Sequence, residues 1–396
     1  MISLNNTLGL AASLLKTPRM LMVNPRVAGF LLGYFGKFRV KRVGGSYVLH
    51  SHLPPLDSAA YSKFVKKHLI ENVRGPSHAQ IGVTNACPQK CGYCYNRHRS
   101  GTVMDKERIM RVAGELSSMG VAWLGITGGE PLLNGDLLEI IDGIDKDVAV
   151  KLFTTGSTLT PGKARDLKSA GLDYVSVSLD GPDEREHDAQ RGCMGAFKEA
   201  LRAIDVFIEA GIHTGVSAVL TKDMIQNGRL EVFIEFLEKL GVHEAWLSEA
   251  KPASEAFWDE RFVIGDKEAE ALIKMQDAYN KKGPLTFNYL GHFEHGAHFG
   301  CNAGVKMVYV DAFGEMSPCV FTPMTFGNVR DRPAASLYAD MSRSFRCGSK
   351  CFVNRNYGLF KKYFTGVSPV PADDARKIAE EASASGIPEF YRLKGA

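Results

Sequence analysis

Ala79-Gln80-Ile81-Gly82-Val83-Thr84-Asn85-Ala86-Cys87-Pro88-Gln89-Lys90-Cys91-Gly92-Tyr93-Cys94-Tyr95 is the stretch that decides how this chain reads. Its first part, Ala79–Asn85, is short and mostly apolar, the composition of a strand buried on both faces. Three cysteines then follow in the spacing C-x3-C-x2-C, on the loop that leaves the strand. Thiolates this close in sequence converge on one metal centre. Zinc would want a fourth protein ligand. A four-iron cluster on three cysteines leaves one iron open to an outside ligand. The position matters as much as the spacing, because barrel folds build active sites at the C-terminal ends of their strands.

Working outward, strands and helices alternate. Strands are expected at Ala79–Asn85, Trp123–Thr127, Val148–Thr154, Tyr174–Leu179, Thr214–Leu220 and Ala245–Ser248, each followed by a helical stretch. Such alternation implies a parallel sheet with right-handed crossovers. The fold class is α/β, and six units predict a partial (β/α)6 TIM-like barrel; a flat doubly wound sheet is the second reading. The alternation stops near Lys282. Residues 1–75 form a basic, apolar arm, with a strand pair at Lys37–Val43 and Ser46–Ser51. Residues 76–282 form the barrel, and 283–365 a small unit rich in Gly, Phe and Cys. Residues 366–396 hold a last helix, Ala372–Ala384, and a tail.

The chain has 396 residues, 45% hydrophobic and 23% charged, which excludes a disordered protein. The net charge of +4 conceals an asymmetry. The first 56 residues hold no Asp or Glu but seven basic residues, so the remaining 340 are net −3. Within the arm, Lys16, Pro18, Arg19, Pro25 and Arg26 interrupt the apolar pieces. None reaches the roughly 18 apolar residues of a spanning helix. Met1–Thr7 has no basic residue ahead of the apolar run, so no signal peptide is expected. The arm reads either as a helical cap on the main domain or as amphipathic helices on an anionic membrane surface. The expected location is cytoplasmic, peripheral on the membrane in the second case. No nucleic-acid partner is expected, since the basic residues lie in an apolar context.

The cysteine loop resembles the signature of the radical S-adenosylmethionine (SAM) enzymes, C-x3-C-x-aromatic-C, with Tyr93 as the aromatic residue. The next strand ends in Gly128-Gly129-Glu130-Pro131, similar to that superfamily's GGEP motif. The resemblance implies that Cys87, Cys91 and Cys94 hold a [4Fe-4S] cluster and that residues 128–131 hold the amino group of SAM. It further implies SAM contacts at Thr155 and Ser178, which end the third and fourth strands, and at Arg191, whose guanidinium would pair a carboxylate. Leu220 would pack on adenine or in the core. A structural zinc knuckle is the alternative for the loop.

Farther on, Cys301 is followed after twelve residues by Gly314, and Gly314 after four by Cys319; Cys347 and Cys351 come later. This resembles the opening of the SPASM and twitch extensions of radical SAM enzymes, with Met307–Asp311 and Glu315–Ser317 as a hairpin. A full SPASM extension carries seven cysteines; four here imply one auxiliary [4Fe-4S] cluster on Cys301, Cys319, Cys347 and Cys351. A four-cysteine zinc site is the alternative. With four protein ligands, electron transfer is the expected role of that cluster. Cys193 reads as an ordinary thiol.

The implied chemistry is reductive cleavage of SAM to a 5′-deoxyadenosyl radical that abstracts hydrogen, with an electron donor such as flavodoxin or ferredoxin. Two substrates remain open: an apolar, membrane-associated small molecule, or a peptide or protein side chain. A non-catalytic iron–sulfur electron carrier is the reading of another class. His292, His295 and His298 are expected to line the cleft. Arg97, His98 and Arg99 read as a solvated loop or as contacts to an anionic substrate. Glu249 and Lys251 face the correct end of the barrel, but no general acid or base stands out.

Overall fold

The computed structural model describes residues 4–383 and 385–395. Among these residues, eleven strands form two sheets. The hairpin β1 (Lys41–Val43) and β2 (Ser46–Val48) stands alone. The main sheet holds β3 (His78–Gly82), β4 (Trp123–Thr127), β5 (Ala149–Thr154), β6 (Leu172–Ser178), β7 (His213–Leu220), β8 (Glu244–Glu249), β9 (Thr286–Tyr289), β10 (Met307–Val310) and β11 (Met316–Ser317). Its order is β11-β10-β3-β4-β5-β6-β7-β8-β9, parallel throughout except for the β10–β11 hairpin.

The sheet curls rather than lying flat. Phe153 on β5 and Trp246 on β8 touch with ring centroids 5.4 Å apart. Those strands are three positions apart in the sheet, roughly 14 Å if it were flat. The Lys151 ammonium lies between the same two rings, 4.8 and 4.7 Å from their centroids. The interior is therefore that of an open, partial barrel, as the six-unit alternation predicts.

Three strands of the main sheet lie beyond the alternation. β9 pairs with β8 in parallel, so the sheet continues past Lys282. β10 forms the expected hairpin with β11, but it also pairs with β3 in parallel, Val308 opposite Ala79. The Cys-rich segment thus borders the strand that carries the cysteine loop. One hydrophobic core contains Ala79 and Ile81 together with Val308, Val310 and Met316.

The arm closes the N-terminal end of the barrel. Gly44 and Gly45 turn its hairpin with φ of +57° and +92°, the left-handed pair that a two-residue turn requires. The chain then enters the barrel mouth. Trp123 Nε1 donates to Ser51 O at 2.9 Å, Lys151 Nζ to Ser51 Oγ at 2.6 Å, and Ser51 N to Glu244 at 2.8 Å. Tyr174 OH donates to Leu53 O at 2.8 Å. These bonds satisfy buried polar groups that an open barrel end would leave bare. A second core of Val27, Tyr34, Phe38, Leu49 and Leu56 takes in Phe390 from the tail. The tail, which gives no sequence signal, is thus an anchor for the arm. The helix expected at Ala372–Ala384 runs Ala372–Glu381 and is not the last, since a short helix, Glu389–Leu393, follows it; Ala384 falls outside the described residues.

A candidate active site between two cysteine sets

A cavity of about 530 Å³ opens at the C-terminal ends of the strands. Cys87, Cys91 and Cys94 line it, with Gly128, Gly129, Thr155, Ser178 and Arg191. The cysteine loop therefore meets the ends of β4, β5 and β6 in one place, as the spacing and strand positions predict.

The double glycine grips that loop. Gly129 N donates to Thr84 O at 2.6 Å and Glu130 N to Ala86 O at 2.7 Å. At the far end of the loop, Asn96 Nδ2 donates to Gly128 O at 2.6 Å. A Cβ on Gly128 would stand 2.2 Å from Thr84 O, and one on Gly129 2.2 Å from Ala86 O. Only glycine admits such approach. Gly129→Ala is expected to push the loop away from β4. Reconstituted protein should then hold markedly less iron at the three-cysteine site; iron content and the ultraviolet–visible spectrum would read this directly.

Glu130 and Pro131 lie behind this backbone. The Glu130 carboxylate is buried and fully engaged by the protein. Oε1 accepts from Leu132 N at 2.9 Å and Thr154 Oγ1 at 2.6 Å. Oε2 accepts from Thr155 N at 2.5 Å and Thr155 Oγ1 at 2.6 Å. Burial still raises its pKa. The polar groups of Thr155 are thus spent on Glu130, and the motif offers the cavity backbone and not a carboxylate.

Arg191 also has a protein partner. Its guanidinium pairs with Asp180 through Nη2–Oδ1 at 2.9 Å and Nε–Oδ2 at 2.8 Å. Tyr93 OH donates to Asp180 Oδ2 at 2.5 Å, and the guanidinium lies 5.7 Å from the centroid of the Tyr93 ring. The carboxylate the sequence assigned to a ligand is supplied by the protein itself. Lys90 N donates to Arg191 O at 2.8 Å, so this trio braces the cysteine loop from the β6 side. Burial raises the pKa of all three loop thiols, that of Cys87 to about 11. Leu220 is in the core, and its neighbour Val219 lines the cavity.

The second cysteine set adjoins the first. Cys301, Cys319 and Cys351 line a smaller cavity of about 60 Å³ that shares Gln80, Trp246, Val320 and Phe321 with the larger one. Cys347 does not join them. Cys301 and Gly348 form an antiparallel bridge, with Cys301 N donating to Gly348 O at 2.7 Å. Bridged residues share a face and their neighbours take the other. Cys347 therefore turns away, toward Asn302 Oδ1 at 3.4 Å and Tyr391.

Between the two sets stands a buried charge cluster. Lys251 Nζ bonds Glu249 Oε2 at 3.2 Å and Glu294 Oε2 at 2.7 Å. Glu249 also accepts from Asn354 Nδ2 at 2.6 Å and from Tyr289 OH. Burial works to raise the Glu249 pKa, but Lys251, Tyr289 and Asn354 together hold it below the usual value. Glu294 has Lys251 alone, and burial raises its pKa to about 7. Glu249 and Lys251 line the large cavity and Glu294 the small one. Glu294 gave no sequence signal. Its route to the site depends on a loop between β9 and Cys301.

Two expectations are corrected. His292, His295 and His298 are absent from the lining of both cavities. The helix Leu290–Phe293 turns His292 under the arm, where it stacks on His298 at 4.1 Å and faces Tyr34 and Asp277. Arg99 is not on a solvated loop. It is buried in an ion pair with Asp311 at 2.7 Å. Arg97 does line the cavity, and Cys193 is a half-buried free thiol.

Known proteins agree with this geometry. The profile of the Radical SAM superfamily matches residues 81–237. The AdoMet-dependent heme synthase of Methanosarcina barkeri is 26% identical over 305 residues, 70% of this chain and 87% of that protein. The PqqA peptide cyclase of Granulibacter bethesdensis is 28% identical over 284 residues, 68% of this chain and 75% of that protein. Streptococcus suis SuiB bound to S-adenosylmethionine shares the fold with a TM-score of 0.57 at 17% identity, covering 76% of this chain and 78% of that one. Residues 81–237 thus carry a radical SAM domain, the domain of enzymes whose cofactors are a [4Fe-4S] cluster and SAM.

Proposed function

We propose that Cys87, Cys91 and Cys94 hold the SAM-binding cluster, that SAM lies over Gly128 and Gly129 toward Ser178, and that the substrate is largely apolar. Three thiolates on one loop, all lining the cavity, suit a four-iron cluster whose fourth iron stays open to an outside ligand. When bound, cluster and SAM supply a 5′-deoxyadenosyl radical that removes hydrogen from an unactivated carbon, with flavodoxin or ferredoxin as the electron donor. The chain's own residues then orient the substrate and exclude water.

The observation that carries the substrate reading is the wall between the two cysteine sets. Phe153, Val219, Trp246, Val320 and Phe321 give the cavity a broad apolar side. Gln80, Ser217, Ser248 and the Glu249–Lys251 ion pair are the polar anchors on this wall, and the remaining polar lining belongs to the cysteine loop and the strand ends around Gly128, Thr155 and Arg191. This is the pattern of a site for an apolar small molecule. The named product of the heme synthase relatives, heme, is itself a largely apolar macrocycle. A peptide or protein side chain is the second reading, favoured by the PqqA peptide cyclase relative. The test adds solvent-extracted and peptide fractions of the source cell to reduced, SAM-loaded enzyme. The solvent fraction should stimulate 5′-deoxyadenosine formation; stimulation by the peptide fraction alone would overturn the apolar reading.

Residues 283–365 are assigned as the auxiliary unit, beside the arm 1–75, the barrel 76–282 and the C-terminal segment 366–396. Its cluster is assigned to Cys301, Cys319 and Cys351, with Cys347 outside the set. The premise of four protein ligands then lapses, and with it the preference for pure electron transfer. Cys347→Ala should retain the auxiliary iron, whereas Cys351→Ala should lose it; iron and electron paramagnetic resonance per protein would distinguish them.

A further inference from the structure

We propose that the outer face of the arm docks on an anionic lipid bilayer. Two helices build this face, α1 (Leu4–Lys16) and α2 (Pro25–Phe35), joined by the 3-10 turn Pro18–Met22. A helix on a water-facing surface turns its apolar side inward. α1 does the reverse. Its buried positions are Asn6, Gly9 and Ser13, with Thr17 just beyond. Asn6 Nδ2 donates to Phe38 O at 3.0 Å and Asn6 Oδ1 accepts from Val40 N at 2.8 Å. Thr17 Oγ1 and Ser62 Oγ are 2.6 Å apart. A Cβ on Gly9 would press Val40 at 2.9 Å. Polar and small residues thus fasten α1 to the body while Leu8, Leu14 and Leu15 point out.

The exposed face continues along the turn and α2. Leu15 is 85% exposed, Leu21 82%, Met22 68% and Leu32 57%. Six of the twelve large apolar side chains exposed among the described residues fall between Leu8 and Leu32. Such concentration marks an interaction surface. Lys16, Arg19 and Arg26 are exposed on the same segment, and no acid precedes Asp57 in the chain. Glu71 lies near Arg19, while Leu15, Leu21 and Met22 stand among the exposed cations Lys16, Arg19 and Arg26; leucine and methionine flanked by cations match the acyl boundary and anionic headgroups of a bilayer. Among the described residues no helix is long and apolar enough to cross a membrane, so the arm lies on the surface. It covers the N-terminal end of the barrel, and the cavity opens at the other end. Docking therefore anchors the enzyme with its active site facing away from the lipid, whatever the substrate.

The test is flotation of the full-length protein with vesicles of phosphatidylcholine alone, or of about equal phosphatidylcholine and phosphatidylglycerol. The protein should float with the anionic vesicles and weaken as salt rises. Two triple variants change exposed positions only: Leu15→Ser with Leu21→Ser and Met22→Ser, and Lys16→Gln with Arg19→Gln and Arg26→Gln. Both should keep wild-type circular dichroism. The first should bind at least about tenfold more weakly, and the second about 100-fold more weakly. Failure of the wild type to float, or wild-type binding by the Ser variant, would overturn the proposal. So would a wild-type dimer in solution that the Ser variant breaks while vesicles bind neither.

Discussion

Replacing Arg99 by Met is expected to cost about 3–5 kcal/mol of stability and to loosen both cysteine sets together. Arg99 and Asp311 are each 1% exposed, and their Nη1–Oδ2 distance is 2.7 Å. Asp311 Oδ1 already accepts from Phe313 N and Glu315 N, both at 2.9 Å, which tightens the turn of the β10–β11 hairpin. Arg99 neutralises the other oxygen. Without it a buried carboxylate keeps half its partners and none of its countercharge, and truncation of one ion-pair member is the damaging case. Arg99 follows the cysteine loop by five residues, while Asp311 ends the strand that borders β3. The guanidinium also lies 5.3 Å from the centroid of the Tyr309 ring, and Tyr309 OH donates to Asn96 Oδ1 at 3.2 Å. The same pair therefore joins the loop to the sheet edge. The paired change Arg99→Met with Asp311→Leu should recover part of the loss. Chemical denaturation of the three proteins measures it, and equal stability of Arg99→Met and wild type would remove the argument.

The second large effect is expected at Lys251. Lys251→Met leaves Glu249 and Glu294 buried without their shared cation. Glu249 retains Tyr289 and Asn354, so Glu294 carries most of the penalty. Its pKa in the folded wild type is already raised to about 7, against 4.5 for an ordinary glutamate. Removing Lys251 raises it further. A carboxyl whose folded pKa is raised contributes stability below the unfolded pKa and loses it as pH climbs through the folded one. The variant's deficit should thus be small near pH 5 and grow to about 3–5 kcal/mol above pH 8. Melting curves of wild type and Lys251→Met across this range would check the sign. A deficit that shrinks as pH rises would show that Glu294 is not the strained group.

The cysteine loop, the double glycine and the six strand–helix units were legible because each is local. Spacing puts thiols on one loop, and strand alternation brings loop ends to one rim. What escaped depends on facing and on distant pairing. Nothing in the composition of Thr286–Tyr289 distinguishes a ninth sheet strand from a linker; it becomes one by pairing with β8. Cys347 looks equivalent to Cys351 in sequence, yet the bridge at Gly348 turns it to the opposite face. Arg191 lines the cavity and Glu130 stands behind the double glycine, but sequence does not show that Asp180 pairs the first and that Leu132, Thr154 and Thr155 engage the second. His292 and His298 sit near Cys301 in sequence and under the arm in space. The arm's basic and apolar composition was visible from the start. That α1 wears its leucines outward required the fold, since Phe38, Val40 and Ser62, distant in sequence, reveal which side is inside.

The most direct measurement is made without oxygen. The protein is reconstituted with iron and sulfide, reduced with dithionite, supplied with SAM, and assayed for 5′-deoxyadenosine beside a Cys87→Ala, Cys91→Ala and Cys94→Ala variant. The account predicts 5′-deoxyadenosine from the wild type and none above background from the variant. Equal formation by both proteins would contradict the assignment of the cluster to this loop.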